Sequence, residues 1–180
     1  MTLHSDNQLT EVCSPPIVCI PTLNNHEEMS TSPLLEQISR LMNEQIPFHR
    51  LIGLEVTRFA SDISEVQFKW KPELIGNAPQ GILHGGVTAT ALDMCGGLVA
   101  IAGVVESLPE GTSPDDVIHR ISRCGTIDMR VDYVRPGRGE TFICTAHTIR
   151  SGNKVAVTRM ELHNQDDMLI AFGTGTYMVG

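Results

Sequence analysis

The sequence predicts an α+β domain in which a curved antiparallel sheet wraps around one long central helix. Three observations lead there. From Val87 to Val105 the chain is apolar apart from Asp93 and two threonines. A helix of that length, apolar on nearly every side, must be covered all round. The flanking segments alternate apolar and polar residues at the period of half-buried strands. The order is helix, two strands, long buried helix, four strands, and an antiparallel sheet hides such a helix only by curling around it.

Residues 1–32 read as a flexible tail ahead of one domain at 33–180. Pro15, Pro16 and Pro21 break regular structure there, and Asn, Ser and Thr dominate the rest. Ser32-Pro33 then caps and opens a helix whose Leu34, Leu35, Ile38, Leu41 and Met42 share one face, with Pro47 ending it. Phe48 to Gly53 reads as a short connection. Leu54–Phe59 and Ile63–Trp70 read as two strands. In the second, Val66, Phe68 and Trp70 alternate with Gln67 and Lys69. Lys71–Leu83 reads as a loop and the buried helix spans about 86–105. The polar stretch 106–123, with a helical turn over 115–122, is a surface excursion of the length that lids use. In the first of the four final strands, Ile127, Met129, Val131 and Tyr133 alternate with Asp128, Arg130 and Asp132. Thr141–Arg150, Lys154–Asn164 and Met168–Val179 follow, separated by the turns at Ser151-Gly152-Asn153 and Gln165-Asp166-Asp167.

The chain has 180 residues and a formal net charge of −8, which argues against nucleic acid as its main partner. The five cysteines are odd in number and lack a CxxC spacing, as expected of reduced thiols in a cytoplasmic protein. No basic segment followed by an apolar one opens the chain, so no signal peptide is expected. The long apolar helix is read as core rather than as a membrane span. Asp93 would be costly in lipid, and Gly96, Gly97 and Gly103 interrupt the run.

The chemistry concentrates in Gly81-Ile-Leu-His84-Gly85-Gly86-Val-Thr-Ala-Thr-Ala-Leu-Asp93. A helix start offers free N–H groups and partial positive charge, and Gly85 and Gly86 let a ligand approach them, so they form either an oxyanion site or a plain tight turn. Asp93 is either a general base or nucleophile, or a buried aspartate bonded to a backbone group or hydroxyl. It lies on the order of 10 Å along the axis from the helix start, so one chain's Asp93 cannot meet a carbonyl held at its own helix mouth. A dimer with antiparallel helices would solve this. His84 has no metal-ligand neighbours at suitable spacing and is expected to shape the turn through a ring hydrogen bond. Asn77 could donate to a carbonyl or be an ordinary turn residue. The Thr126 hydroxyl could hold a water or simply sit in a strand. Arg135-Pro136-Gly137-Arg138 could meet phosphates or be a solvated turn. The nucleophile elbow GxSxG and the nucleotide motifs GxxxxGK[ST] and GxGxxG are absent.

Asn77…Gly81-Ile-Leu-His84-Gly85-Gly86…Asp93 resembles the Asn-x-x-Gly-x-x-His-Gly-Gly-x₆-Asp pattern of hotdog-fold acyl-CoA thioesterases of the PaaI-like type. The likeness continues through Cys124–Glu140, Gly152–Val157 and Thr176–Gly180, and it most resembles the bacterial medium- and long-chain branch. The resemblance implies hydrolysis of acyl-CoA without metal or redox cofactor. It implies Asp93 as catalytic acid–base group and polarising amides at Gly85 and the turn around it. Asn77 would lie near the carbonyl, Thr126 would orient water, and Arg135, Pro136 and Arg138 would lie at the nucleotide end of CoA. It also implies a homodimer or dimer of dimers with shared sites. One departure is visible: Asn77 precedes His84 by seven residues, one more than the pattern, so either the loop bulges or another group serves. A hotdog hydratase-dehydratase and a non-catalytic acyl-CoA binder are the alternatives.

Overall fold

A computed structural model of the protein describes residues 33–180. The tail expected over 1–32, with Cys13, Cys19 and the Ser32 cap, lies outside the described residues. The elements are α1 (Pro33–Gln45), α2 (Pro47–Ile52), β1 (Glu55–Phe59), β2 (Ser64–Lys69), β3 (Ile75–Asn77), β4 (Ile82–Leu83), α3 (Gly85–Glu106), α4 (Pro114–Ile121), β5 (Gly125–Tyr133), β6 (Thr141–Ser151), β7 (Val155–Asn164) and β8 (Leu169–Met178). Six strands form one antiparallel sheet in the order β1-β2-β6-β7-β8-β5. The helix α3 packs against all six of them, as the wrapped-helix expectation requires.

The core lies between α3 and the concave face of the sheet. Leu92, Cys95 and Val99 of the helix are fully buried, as are Val66, Phe142, Met160 and Leu162 of the strands. Irregularities in β1, β5, β6 and β8 break the ladder, and bulges of this kind add the local twist that lets a sheet curl. Among the described residues, α3 is the one helix apolar enough to cross a membrane, at mean hydropathy 1.7, and 67% of its apolar window is buried inside the fold. It is a core helix by placement as well as by composition. Cys95 and Cys144 are buried free thiols, and Cys95 Sγ lies 3.2 Å from the Cys144 carbonyl oxygen.

Two expectations change, and the helical turn expected over 115–122 is found as α4. The segment 48–53 is a helix, α2, rather than a connection. Pro47 occupies its first turn and Gly53, at φ +86°, closes it with an N–H to the His49 carbonyl. At six residues it is too short for periodicity to reveal. The loop over 71–83 contains a miniature hairpin, β3 with β4, whose register shifts between Ile75 and Asn77. This is a bulge at the place where the Asn77 spacing departs from the pattern. The excursion 106–123 is anchored by α4, which is capped by Ser113 Oγ on the Asp116 N–H and buries Val117 and Ile121.

Candidate active site

A half-open cleft of about 190 Å³ lies along α3, walled by Asp93, Leu98 and Ile101 of that helix, Met42 and His49 of α1 and α2, and Thr126 and Tyr177 of β5 and β8. Asp93 is half-buried rather than fully enclosed. Its Oδ1 accepts the Thr126 hydroxyl at 2.8 Å. The Tyr177 hydroxyl points at the same residue, 3.2 Å from the Asp93 main-chain oxygen and 3.4 Å from Oδ1. Among the described residues, Oδ2 has no hydrogen-bond partner. Burial, then the charge of Asp93, push the Tyr177 hydroxyl well above its ordinary value, so it remains a donor. Burial lowers the His49 pKa, partly offset by the Met42 carbonyl 3.4 Å from Nδ1 and by Asp93. Burial likewise raises the Cys124 thiol at the cleft wall, against a smaller opposing effect of Arg120, which disfavours a nucleophilic thiolate.

The second group of residues gathers at the start of α3. His84 is the N-cap, and its Nδ1 accepts the Gly86 N–H at 2.9 Å, which places the ring proton on Nε2. This is the ring hydrogen bond expected of it. With Gly86 so engaged, the amide left at the helix mouth is that of Gly85, which has no partner among the described residues. Tyr133, at the end of β5, donates its hydroxyl to the Gly85 carbonyl at 2.9 Å. The β3–β4 hairpin folds back so closely that a Cβ at Gly76 would lie 2.4 Å from His84 Cα, which only glycine permits and which holds neighbouring Asn77 near the turn. The 135–138 turn joins this end through the Leu83 N–H on the Gly137 carbonyl, 3.0 Å. Arg135 and Arg138 each spend one guanidinium N–H on a main-chain carbonyl, Leu169 at 3.0 Å and Gln80 at 2.6 Å. Both guanidinium groups retain further donors, and Pro136 is exposed between them.

One chain thus gathers Asn77, His84, Gly85, Gly86 and the Arg135–Arg138 turn at one end of the helix, and Asp93 with Thr126 two turns further along. The family model described as thioesterase superfamily matches residues 80–171. The medium/long-chain acyl-CoA thioesterase YigI of Escherichia coli is 47% identical over 156 residues, covering 84% of this chain and 100% of the relative. The chain belongs to the thioesterase superfamily. Human acyl-coenzyme A thioesterase 13 is 28% identical over 84% of this thioesterase and 98% of its own length. A crystal structure from Shewanella oneidensis, of a protein related to the thioesterase superfamily, superposes with a TM-score of 0.78 at 53% identity, covering 82% of this chain and 95% of that one.

Two residues of this candidate site escape a reading of the sequence. Tyr177 lies 84 positions from Asp93, and only the strand order brings it there. His49 sits on the helix that reads as a connection. Among the described residues, no three His, Cys, Asp or Glu side chains gather closely enough to hold a metal ion. What the arrangement offers is a carboxylate with one oxygen tethered and one open, on the wall of a mainly apolar cleft, and an unpaired amide at a helix N-terminus.

Proposed function

We propose that this thioesterase hydrolyses medium- to long-chain fatty acyl-CoA to free fatty acid and CoA in the cytoplasm, as part of fatty acid metabolism. The observation that carries the reading is the Asp93 carboxylate, open on Oδ2 at the wall of a cleft whose other lining is largely apolar. Asp93 takes a proton from water, the resulting hydroxide attacks the thioester carbonyl, and the tetrahedral oxyanion is stabilised by the Gly85 N–H and the positive end of α3. Collapse expels the CoA thiolate, a good leaving group that needs little acid assistance. His84 orders the helix mouth by holding Gly86. Asn77 orients the carbonyl, and Thr126 holds the carboxylate. Arg135 and Arg138, with Pro136 between them, meet the CoA phosphates.

The two halves of this machinery stand on the order of 10 Å apart along one helix, so the site is shared in a homodimer, singly or as a dimer of dimers, with α3 of each subunit antiparallel to the other. Support comes from β5. It ends the sheet, with unpaired edge groups and exposed Ile127 and Tyr133, which are 57% and 56% exposed. The test is thiol release across acyl-CoA substrates from acetyl to palmitoyl, with an enoyl-CoA absorbance assay run in parallel. A maximum at medium or long chains supports the reading. A change in enoyl absorbance without thiol release replaces it with a hydratase, and tight binding without turnover replaces it with an acyl-CoA binder.

A further inference from the structure

We propose that Tyr177 is a positioning residue for hydrolysis: with Thr126 it clamps Asp93 on the Oδ1 side, so that Oδ2 is the oxygen that takes the proton from water. The proposal rests on the reading of Asp93 as the base. In the step, an O–H bond of water breaks, its proton forms the O–H bond on Oδ2, the oxygen forms the new C–O bond to the acyl carbon, and the carbonyl π pair moves onto the carbonyl oxygen as the oxyanion.

The clamp is built by strand register. Thr126 and Tyr177 are directly opposite one another in the β5–β8 ladder, and opposite residues in an antiparallel pair put their side chains on the same face. Simple alternation along β5 would not do this. Met129 and Val131 face inward, half-buried, so unbroken alternation would send Thr126 outward with Asp128 and Arg130. The register shift between Thr126 and Asp128 makes Ile127 the extra residue and resets the phase. Ile127 is left exposed, and Thr126 joins the face that meets α3, 2.8 Å from Asp93 Oδ1.

The slot for Tyr177 is equally specific. The side chain is buried at 2% exposure. Its hydroxyl fits only because the facing positions lack side chains. A Cβ at Gly96 would stand 2.4 Å from the hydroxyl oxygen, and one at Gly175 would stand 2.7 Å from it. Behind the ring lies the fully buried Thr158, whose hydroxyl donates to Met160 Sδ at 3.2 Å. The tyrosine directs its single proton at Asp93, between the main-chain oxygen at 3.2 Å and Oδ1 at 3.4 Å. A phenol held protonated by burial donates across the whole working pH range. It holds the Oδ1 edge of the side chain and leaves Oδ2 to take the proton. The titratable groups around Asp93 are few: His49 from α2 and Cys124 ahead of β5 line the same cleft, and Cys95 lies near Tyr177 on α3.

The test compares Tyr177→Phe, Thr126→Val, their double variant and Asp93→Asn in the full-length protein, with decanoyl-CoA as substrate. Loss of the donor is expected to lower kcat about tenfold with KM little changed, and to move the acid limb of kcat up by about half a pH unit. Thr126→Val should move both the same way. The double variant should lose less than the product of the single losses, because both groups act through one carboxylate. Repeating the profiles in a His49→Gln background separates the limb of Asp93 from that of the histidine. Melting temperature reports whether Tyr177→Phe is folded. If it is not, 3-fluorotyrosine placed at position 177 keeps the ring and strengthens the donor, and the acid limb should move down. An unmoved acid limb with kcat unchanged, in a protein where Asp93→Asn is inactive, overturns the positioning role and leaves the base intact. Activity retained in Asp93→Asn overturns the base itself, and the clamp with it.

Discussion

Replacing Gly96 and Gly103 of α3 by alanine should move stability in opposite directions. Both lie inside the helix, where alanine is favoured over glycine by about 1 kcal/mol. At Gly103 nothing lies within 4 Å of the new Cβ, so Gly103→Ala should stabilise by about 0.5–1 kcal/mol. At Gly96 the Cβ would stand 2.4 Å from the Tyr177 hydroxyl oxygen, 2.8 Å from Thr158 Oγ1 and 2.9 Å from Met160 Sδ. All three side chains are buried, and the tyrosine would have to retreat by roughly 1 Å to reach ordinary contact. Overpacking of this kind costs about 1–3 kcal/mol, and three contacts under 3.0 Å put Gly96 in the upper part of that range, about 2–3 kcal/mol, which outweighs the propensity gain and leaves a net loss of about 1–2 kcal/mol. For a chain of this size each kcal/mol is worth about 2–4 °C in melting temperature. Calorimetric melts of both variants beside the wild type, with thiol release measured on each, provide the assay. Gly96→Ala should also lose turnover, because the hydroxyl it displaces is the one directed at Asp93. A Gly96→Ala protein that melts at or above the wild-type temperature with full activity would refute the packing argument, as would parallel shifts in the two variants.

Other predictions follow from the same geometry. Burial lowers the His49 pKa, so below its unfolded value of about 6.5 the unfolded chain binds the proton more readily. The contribution of neutral His49 to stability is therefore present above that value and is lost as pH falls from there toward the depressed folded value. Urea melts between pH 7 and 5 should show that slope, and His49→Gln should flatten it. Replacing His84 by alanine removes the acceptor for the Gly86 N–H. It should cost about 1 kcal/mol of stability, as lost helix caps do, together with a kcat loss larger than that stability change explains, because the Gly85 amide loses its alignment. Equal and small effects of His84→Ala on melting and turnover would assign it a capping role alone.

The elements legible in the sequence are those whose signal is local and long. The α3 run, the alternation in β2 and the cap-and-glycine start at His84 all repeat or cluster within a few residues, and the structure has them where expected. Asp93 stands out because a carboxylate in an apolar helix is costly without a partner. What stayed hidden depends on pairing between distant segments. The phase of β5 is reset at Ile127 by its register with β8, so a pattern that reads as one face from Ile127 to Tyr133 has Ile127 outside it. Tyr133 reads as an ordinary strand residue until its hydroxyl is found on the Gly85 carbonyl. Tyr177 reads as one aromatic near the end of the final strand, and nothing close to it in sequence announces a carboxylate. His49 was obscured because α2 is defined by one proline and one left-handed glycine rather than by any periodicity.

Single-turnover thiol release from decanoyl-CoA by the wild type and by Asp93→Asn, at matched folded concentration, is the decisive comparison. Asparagine preserves the size of the side chain and the approach of the Thr126 and Tyr177 hydroxyls but cannot take a proton from water. If Asp93 is the base, the variant should bind acyl-CoA and release thiol at least ~100-fold more slowly, the usual share of base catalysis. Release within a few-fold of wild type would place the chemistry on another group.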